Sequence, residues 1–440
     1  MRKILLCAIL TVMAVGIEAQ SIREEIRDNI RCSAGNYLAY PEPAQLKLTP
    51  APEGKHPFYI SHYGRHGSRY LIGANDYEAP YAVMAEADSL GKLTPLGKDV
   101  VQRLDIIRKD AHGRYGELTR LGALQHQQIM RRMVDRFPEV FAEGADVDAR
   151  STTSLRVFLS MENAMMQLSR MCPKVFIHHN ATQRDMYYLC GSDPRLEALR
   201  QDSATQALLT TFSQRYDTSS RLMQSLFNDT AYVRQHIDAD KFSNSLYELA
   251  NSLQNTDLSL RMTLYDLFTD DELYDYWRKG NAWWYVNYGF CPASGGSQPY
   301  CQRTLLRKII NDADVSIQLK QPGAQLRYGH DTMLLPLVCL LEIIAAPHSQ
   351  RENRFGLATA DLESLDRKGW ANYKVIPMAG NLQLVFYRSS PDDTDVVVKV
   401  LLNENEVQLP LKNHHGPYYL WRDFREYYLK KLDAYEESEK

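Results

Sequence analysis

The chain has 440 residues, of which 44% are hydrophobic and 10% aromatic, and this length and composition predict two to four lobes with room for a large apolar core. Its 51 basic and 54 acidic side chains give a formal net charge of -3, so the chain lacks the general cationic surface that nucleic-acid binding requires. We therefore expect no nucleic-acid partner. In a chain with so little net charge, a local cluster of basic residues indicates a small anionic ligand at that place.

The N-terminal residues have the pattern of a secretory signal. Arg2 and Lys3 precede an apolar run that ends at Ile17, and Ala19 offers a small residue for cleavage. The run is too short for a comfortable membrane span, and no later segment reaches the required length. We therefore predict a signal peptide at residues 1–19 and a protein that is exported, either periplasmic or secreted, without a membrane span.

Six cysteines follow the predicted cleavage site: Cys32, Cys172, Cys190, Cys291, Cys301 and Cys339. In an oxidising compartment an even number is compatible with disulfides, and pairs such as Cys291 with Cys301, or Cys172 with Cys190, would close short loops. Buried free thiols are an equal alternative. No spacing of cysteine or histidine indicates zinc, so we expect no metal and no other cofactor.

The first part of the chain alternates between strand and helix patterns. Residues 56–63 are strand-like and residues 93–116 helical, and a second amphipathic helix is capped by Thr119 and stopped by Pro138. A short strand, a helix that ends before Pro173, and another strand-like run follow. This order predicts a β-α-β arrangement.

The middle of the chain is mostly helical, with a capping box formed by Thr269 and Glu272. Strand patterns return near residue 324 and again from residue 381, with a turn near Asn403. We therefore predict an α/β protein: a central mixed sheet flanked by helices, built from residues 20–185 and 320–440, with residues 186–319 inserted as a mostly helical cap domain.

One short motif carries three basic side chains. In YISHYGRHGSRYLIG, Arg65, His66 and Arg69 fall within five residues and are separated by small ones. Such close basic groups repel one another unless an anion lies among them. Guanidinium groups bind phosphate oxygens through paired, charged hydrogen bonds, and a neutral imidazole beside them can attack phosphorus. The motif predicts a phosphate site with His66 as its nucleophile.

Two further strand-to-helix junctions carry polar residues of the same kind: Arg150, with Arg156 in the helix that follows, and the pair His330 and Asp331. Ligands of open α/β sheets bind beyond the carboxyl ends of the strands, so one anion can touch all three junctions. His330 is expected to donate to a phosphoryl oxygen. Asp331 is expected to protonate the leaving alkoxide, provided that bound phosphate and partial burial raise its pKa.

These motifs resemble those of the histidine acid phosphatases, the branch of the histidine phosphatase superfamily that includes phytases, multiple inositol polyphosphate phosphatases and acid glucose-1-phosphatases. The matching segments are RHGSR, GELTRLGALQH, DVDARSTTS, HD at residues 330–331, and PMAGNLQLVFYR. The resemblance implies an α/β domain capped by an α-domain, hydrolysis of a small phosphate monoester, and no metal.

Residue by residue, the resemblance implies His66 as the phosphorylated nucleophile, Asp331 as the acid, and phosphate bound by Arg65, Arg69, Arg150 and His330. Arg150 is assigned rather than Arg156 because the family's arginine stands at a strand end, just before a small hydroxyl residue.

The preferred substrate is left open by the sequence. The segments HYGRHGSRY and PMAGNLQLVFYR resemble those of bacterial relatives of the inositol polyphosphate phosphatases, but these typically carry HAE where this chain has His330, Asp331 and Thr332. An HD pair is usual in bacterial phytases and general acid phosphatases. A multiply anionic substrate needs further cations at the rim, and Arg184, Lys279 and Arg327 are the candidates.

Two alternative functions and the oligomeric state also stay open. A phosphotransferase similar to phosphoglycerate mutase would use the same nucleophile, although the signal peptide and the late His-Asp pair argue against it. A non-catalytic module that only binds phosphorylated ligands would need neither nucleophile nor acid.

Overall fold

The computed structural model describes residues 21–45, 47–319, 321–345 and 353–439, and the predicted signal peptide lies outside them. The strands of the described residues are β1 (His56–Arg65), β2 (Asp146–Ser151), β3 (Phe176–Asn180), β4 (Gly323–Gly329), β5 (Ile344–Ala345), β6 (Asn353–Arg354), β7 (Asn381–Arg388), β8 (Val397–Leu402), β9 (Asn405–Gln408) and β10 (Tyr418–Leu420).

The α-helices are α1 (Ile22–Asp28), α2 (Asn75–Ser89), α3 (Pro95–Ala111), α4 (Arg120–Arg136), α5 (Leu155–Met171), α6 (Met186–Leu189), α7 (Pro194–Gln201), α8 (Ser203–Ser213), α9 (Ser220–Leu226), α10 (Thr230–His236), α11 (Ala239–Leu253), α12 (Asp270–Tyr288), α13 (Arg303–Gln318), α14 (Asp331–Leu340) and α15 (Trp421–Ser438). Short 3₁₀ helices occupy Ile30–Tyr37, Pro138–Phe141, Gln183–Asp185, Asp257–Leu260, Tyr265–Leu267, Pro292–Ser294, Gln298–Gln302, Leu362–Ser364 and Asn372–Lys374.

The strands form one mixed sheet in the order β3-β2-β4-β1-β7-β8-β9-β5-β6, with β10 paired to β8. The first four strands of this order run parallel, whereas β7 and β8 pair antiparallel to their neighbours. Strand β1 lies in the middle and is buried along almost its whole length. This arrangement confirms the predicted α/β fold with a central mixed sheet flanked by helices.

Helices cover both faces of the sheet because successive side chains of a strand point to opposite sides. Tyr59 and Tyr63 of β1 join the apolar cluster that holds α13, α14 and α15. Ile60, between them, packs with Met130 of α4 and Met161 of α5 on the other face. A strand buried on both faces has a near-continuous apolar sequence, as residues 57–63 do.

A helical lobe has its own apolar core beside the sheet. Leu222 of α9 and Leu246 of α11 pack there with Met84 of α2 and Leu104 of α3. In contrast, Leu306 of α13 belongs to the cluster on the sheet. The boundaries 186–319 for the cap stay a prediction. By their packing, α2 and α3 belong to the helical lobe although they precede residue 186, and α13 belongs to the sheet although it lies within 186–319.

The ends of the predicted helices agree closely with the structure. Thr119 caps α4, and its side chain accepts a hydrogen bond from the N–H of Gly122. Thr269 and Glu272 form the predicted capping box at the start of α12. The turn between β8 and β9 places Asn403 at a φ of 48°, in the left-handed region that asparagine tolerates.

The six cysteines of the described residues are free thiols, and Cys291 and Cys339 are buried. The alternative of free thiols, rather than disulfides, therefore holds for this structure. No helix of the described residues is long and apolar enough to span a membrane.

Candidate active site

Three neighbouring parallel strands end at the same edge of the sheet and bring the predicted junctions together. Arg65 at the end of β1 is paired with Gly329 at the end of β4, and Ser151 at the end of β2 is paired with Tyr328. The residues that follow these ends, His66 after β1 and the start of α14 after β4, therefore lie side by side. The sequence prediction of a shared site at this edge agrees with the register.

The backbone and one ring nitrogen hold His66 in a single orientation. Its N–H donates to the carbonyl of Gly329 over 3.0 Å, and its carbonyl accepts from the N–H of Ala379 over 2.9 Å. Ring atom Nδ1 lies 2.9 Å from the carbonyl oxygen of Gly67. Because a carbonyl only accepts, Nδ1 carries the proton and Nε2 keeps its lone pair. His66 thus presents an unprotonated nitrogen.

Burial and neighbouring charges keep the two histidines of the site neutral. Burial and the positive charges of Arg65 and Arg69 lower the pKa of His66 well below its ordinary value. The ring of His330 lies 5.7 Å from that of His66, centroid to centroid. Burial lowers the pKa of His330 to about 4, although the Asp331 carboxylate acts in the opposite direction. A neutral His66 is the nucleophilic form that the sequence prediction required.

Arg65 is buried completely and directs one edge of its guanidinium group into the site. Atom Nη1 donates to the carbonyl oxygens of Asn36 and of Ile376, the second over 2.7 Å. Atom Nη2 lies 2.7 Å from Oδ2 of Asp331. Atom Nε is buried and has no hydrogen-bond partner among the described residues. The edge that carries Nε is thus free for an anion.

Arg69 is oriented in a similar way. Its Nη1 donates to the carbonyl of Tyr70 over 2.8 Å, and its guanidinium carbon lies 5.2 Å from the ring centre of Tyr37. Its Nε is also buried without a partner in the part of the chain that the structure describes. A buried donor without an acceptor is costly. Arg65 and Arg69 thus each offer a buried donor that an anionic acceptor would satisfy.

Asp331 begins α14 and receives hydrogen bonds on both carboxylate oxygens. Oδ2 accepts from Nδ2 of Asn36 over 3.0 Å, and Oδ1 accepts from the N–H of Thr332 over 2.9 Å. Burial raises the pKa of this carboxyl, but the positive charge of Arg65 and the hydrogen bond from Asn36 outweigh burial, so the pKa lies below its ordinary value. Asp331 is therefore ionised while the site holds no phosphate.

The structure does not bring Arg150 into this cluster. Arg150 and Asp148 lie two residues apart on the same face of β2, and Nη2 of the arginine is 2.8 Å from Oδ1 of the aspartate. Asp185 lies 3.8 Å from the same guanidinium group. The positive charge that acts on His66 from this side comes instead from Arg156.

Arg156 stands in the first turn of α5 and has the feature that Arg65 and Arg69 share. Its Nε is buried and unpartnered among the described residues. Burial and the charge of Arg69 lower its pKa, while Asp331 acts in the opposite direction. The structure thus brings Arg65, His66, Arg69, His330 and Asp331 together, and it places Arg156 rather than Arg150 beside them.

One sequence signal favoured Arg156 beforehand. The N-terminal turn of a helix carries a partial positive charge, so a basic residue there is unfavourable unless an anion binds nearby. Arg156 is the second residue of α5. Assignment by motif position placed the arginine at the strand end, where the alternation of strand side chains directs it to the same face of the sheet as Asp148, its ion-pair partner.

A buried polar network holds the loop at residues 66–69, which we call the motif loop, against the helices. The N–H of Ser68 donates to Oε1 of Gln125 over 2.9 Å, and Oγ of Ser68 donates to Oδ1 of Asn255 over 2.7 Å. The N–H of Gly67 donates to Oγ of Ser160 over 3.1 Å. These bonds join the loop to α4, α5 and the helical lobe, and a fixed loop keeps its guanidinium groups and imidazole in one geometry.

The three rim cations considered from the sequence do not form a ring around the site. Arg327 of β4 is buried, and its Nη2 is 2.6 Å from Oδ2 of Asp312 in α13. Nζ of Lys279 donates to the carbonyl of Tyr216 over 2.9 Å. Arg184 is exposed on the short helix before α6. Two of the three thus have structural partners.

The fold and the site together define an α/β protein in which three arginines, each with a buried Nε that lacks a partner in the described residues, surround a neutral histidine at the end of the central strands. A family model described as "Histidine phosphatase superfamily (branch 2)" matches residues 62–403. The chain therefore belongs to branch 2 of the histidine phosphatase superfamily, a family of phosphatases, and is an enzyme of that class. No curated protein matches the chain significantly.

Solved structures support the fold. The chain is 17% identical to the multiple inositol polyphosphate phosphatase of Bifidobacterium longum in complex with inositol hexasulfate, with a TM-score of 0.73 over 89% of this chain and 96% of that one. The phytase of D. castellii has 13% identity and a TM-score of 0.65, covering 92% and 86% of the two chains. The Hafnia alvei phytase in complex with tartrate has 14% identity and a TM-score of 0.51, covering 86% and 98%.

Proposed function

We propose that the protein is an exported phosphomonoesterase that hydrolyses organic phosphate esters through a phosphohistidine at His66, and that inositol polyphosphates are its substrate class. The observation that carries the proposal is a neutral, oriented imidazole among three guanidinium groups that each have a buried Nε without a partner in the described residues. Phosphate oxygens are acceptors of the right charge and spacing for such donors.

The first step forms a covalent bond. The lone pair of Nε2 of His66 attacks phosphorus, the bond between phosphorus and the ester oxygen breaks, and the alkoxide leaves with a proton from Asp331. Arg65, Arg69, Arg156 and His330 hold the phosphoryl oxygens as their charge redistributes. In the second step Asp331 takes a proton from water, the water oxygen attacks phosphorus, and the bond to Nε2 breaks to release inorganic phosphate.

The bound substrate changes the protonation of Asp331. In the structure Arg65 is its ion-pair partner and helps to lower its pKa. A phosphate dianion bound to the same arginines neutralises them and places negative charge near the carboxylate, and both effects raise the pKa of that carboxyl. Asp331 thus becomes an acid when the substrate that needs a proton arrives.

The substrate class is proposed from the similar proteins. Two of them are named as a multiple inositol polyphosphate phosphatase and a phytase, and one was solved with inositol hexasulfate. The cations considered for the rim do not by themselves favour a polyanion. Measurement of released phosphate from phytate, glucose 1-phosphate and an aryl phosphate, at pH values from about 4 to 7, ranks the substrates.

The test of the catalytic assignment is His66→Ala. We expect phosphate release from every accepted substrate to fall by at least about 10³-fold, because the nucleophile is lost while the arginines remain. Exposed His178 offers a matched control, and His178→Ala is expected to retain wild-type activity. Equal rates for wild type and His66→Ala would contradict the proposal. Transfer of labelled phosphate to an added sugar, without free phosphate, would indicate the phosphotransferase instead.

A further inference from the structure

The segment at residues 29–38 completes the site from a part of the chain that lies ahead of every motif discussed above. It packs between the sheet and the helical lobe. The N–H of Met378 donates to the carbonyl of Leu38 over 2.8 Å, and Nδ2 of Asn255 in the lobe donates to the carbonyl of Tyr37 over 2.8 Å. Tyr247 of α11 donates to the carbonyl of Ser33. The segment is thus fixed from both sides.

Gly35 sets the direction in which the segment enters the site. Its φ is +58°, in the region that favours glycine, and a Cβ there would lie 2.9 Å from Nδ2 of Asn372. Oδ1 of Asn372 accepts from Nε1 of Trp277 over 3.1 Å, so this neighbour is itself held in place. The backbone that follows Gly35 therefore leaves the turn in one direction, and Asn36 is the next residue.

Asn36 makes two contacts with the site. Its carbonyl oxygen accepts from Nη1 of Arg65, and its Nδ2 lies 3.0 Å from Oδ2 of Asp331. Oδ2 thus accepts a hydrogen bond from the Asn36 amide and lies against the positive charge of Arg65, whereas Oδ1 accepts the backbone N–H of Thr332. A proton is disfavoured on an oxygen that faces a cation and accepts an amide hydrogen, so Oδ1 is the oxygen left to carry it.

We propose that Asn36 is a positioning residue for the general acid: its amide holds Oδ2 of Asp331 as an acceptor, so that the catalytic proton is carried by Oδ1. This inference rests on the proposed function, in which Asp331 protonates the leaving group. A carboxylic acid whose proton is confined to one oxygen delivers that proton in a single direction. Asn36 acts only through Asp331.

Other groups also face Asp331 and contribute to its protonation. Four of them are basic: Arg65 of β1, Arg69 of the motif loop, Arg156 of α5 and His330 before α14. The other two are the tyrosines Tyr63 of β1 and Tyr288 of α12. Only Arg65 and Asn36 contact the carboxylate oxygens from outside α14 in the described residues. Removal of Asn36 thus leaves the charges in place and removes one hydrogen bond.

The experiment compares Asn36→Ala and Asn36→Asp with wild type, with Asn29→Ala as control and with Asp331→Asn as the reference for a lost acid. Asn29 lies at the start of the same segment, is exposed, and accepts from the N–H of Arg31. The substrates are an alkyl phosphate, whose leaving group needs a proton, and 4-nitrophenyl phosphate, whose leaving group does not.

We expect both Asn36 variants to lose about tenfold or more of kcat/KM on the alkyl phosphate and less than about threefold on the aryl phosphate. The alkaline limb of the kcat profile for the alkyl substrate is expected to move to higher pH, because a donor that favours the ionised carboxyl is gone. Asn36→Asp, which has the same shape but adds a like charge, is expected to move it further. Asn29→Ala is expected to resemble wild type.

Equal losses on both substrates with an unchanged alkaline limb would overturn the inference, as would Asn36 variants that behave like Asn29→Ala. If Asn36→Ala is unfolded by circular dichroism, the isosteric Asn36→Asp decides by the same readouts. A wild-type protein that releases phosphate from neither substrate would overturn the proposed function itself, an outcome distinct from an active wild type with unaffected Asn36 variants.

Discussion

At the scale of single residues, the site depends on which arginine faces the anion. Arg156 has a buried Nε without a partner in the described part of the chain, whereas Arg150 is about one third exposed and paired with Asp148. A phosphate would compete with the carboxylate that Arg150 already contacts, so it adds little stabilisation there. It would supply the acceptor that the buried Nε of Arg156 lacks.

This difference predicts opposite results for two alanine variants. Arg156→Ala is expected to lower kcat/KM by about 10² to 10³, because one of the groups that stabilise the transferring phosphoryl charge is lost. Arg150→Ala is expected to change it by less than about fivefold, since a partly exposed ion pair contributes little. Steady-state kinetics on one aryl phosphate suffices, and a larger loss for Arg150→Ala than for Arg156→Ala would restore Arg150 to the site.

At the scale of elements, the first turn of α4 and the motif loop are in backbone contact. A Cβ on Gly122 would lie 2.3 Å from the carbonyl oxygen of Ser68, and a Cβ on Gly67 would lie 2.5 Å from the carbonyl oxygen of Gly122. Thr119 caps α4 and its N–H donates to the carbonyl of Ser68 over 2.9 Å. The first turn of α4 therefore packs directly against the backbone of the loop that carries His66, and its position fixes that of the loop.

Gly122→Ala is expected to push the motif loop away from α4 and so to displace His66. The added methyl group meets backbone, which yields poorly, so we expect a loss of about 1–3 kcal/mol in the free energy of unfolding. A shift of the loop by a fraction of an ångström is expected to lower kcat by about tenfold or more. The control is Gly280→Ala in α12, where a Cβ meets nothing within 4 Å. Similar behaviour of the two variants in thermal unfolding and kinetics would show that the contact does not matter.

At the scale of the whole molecule, folding buries four histidines around the sheet edge. Burial lowers the pKa of His62 and of His126 to about 3, and it also lowers those of His66 and His330. In the unfolded chain a histidine has a pKa of about 6.5. Between these values the unfolded state binds more protons than the folded state, so stability rises with pH and is lost as the pH falls from about 6.5 toward 3.

The contribution of one such histidine is measurable. Each contributes up to about 1.4 kcal/mol per pH unit in this window, so His126→Gln is expected to flatten the dependence of the unfolding free energy on pH by that amount between about pH 4.5 and 6. Denaturant unfolding of wild type and of His126→Gln at several pH values gives both slopes. An unchanged slope for His126→Gln would mean that this imidazole is protonated in the folded state.

Much of the fold followed from local patterns. The helix at 120–136 has its cap at Thr119, and α12 has its capping box at Thr269 and Glu272, because these signals act over three or four residues. The sequence did not predict which helices pack on the sheet and which pack in the helical lobe. Helices α2 and α3 join residues more than a hundred positions later in the lobe, and amphipathic patterns do not say which partner a face meets.

The sequence by itself determined the chemistry: a motif with Arg65, His66 and Arg69, a distant His330 and Asp331, and a sheet whose parallel strands end together, because charge, side-chain type and strand pattern are local properties. Only the tertiary structure placed Arg156, and not Arg150, beside His66, and only it brought Asn36 to Asp331 across 295 positions. The reason is geometric, since the direction of a side chain and the route of an irregular segment are set by what packs against them.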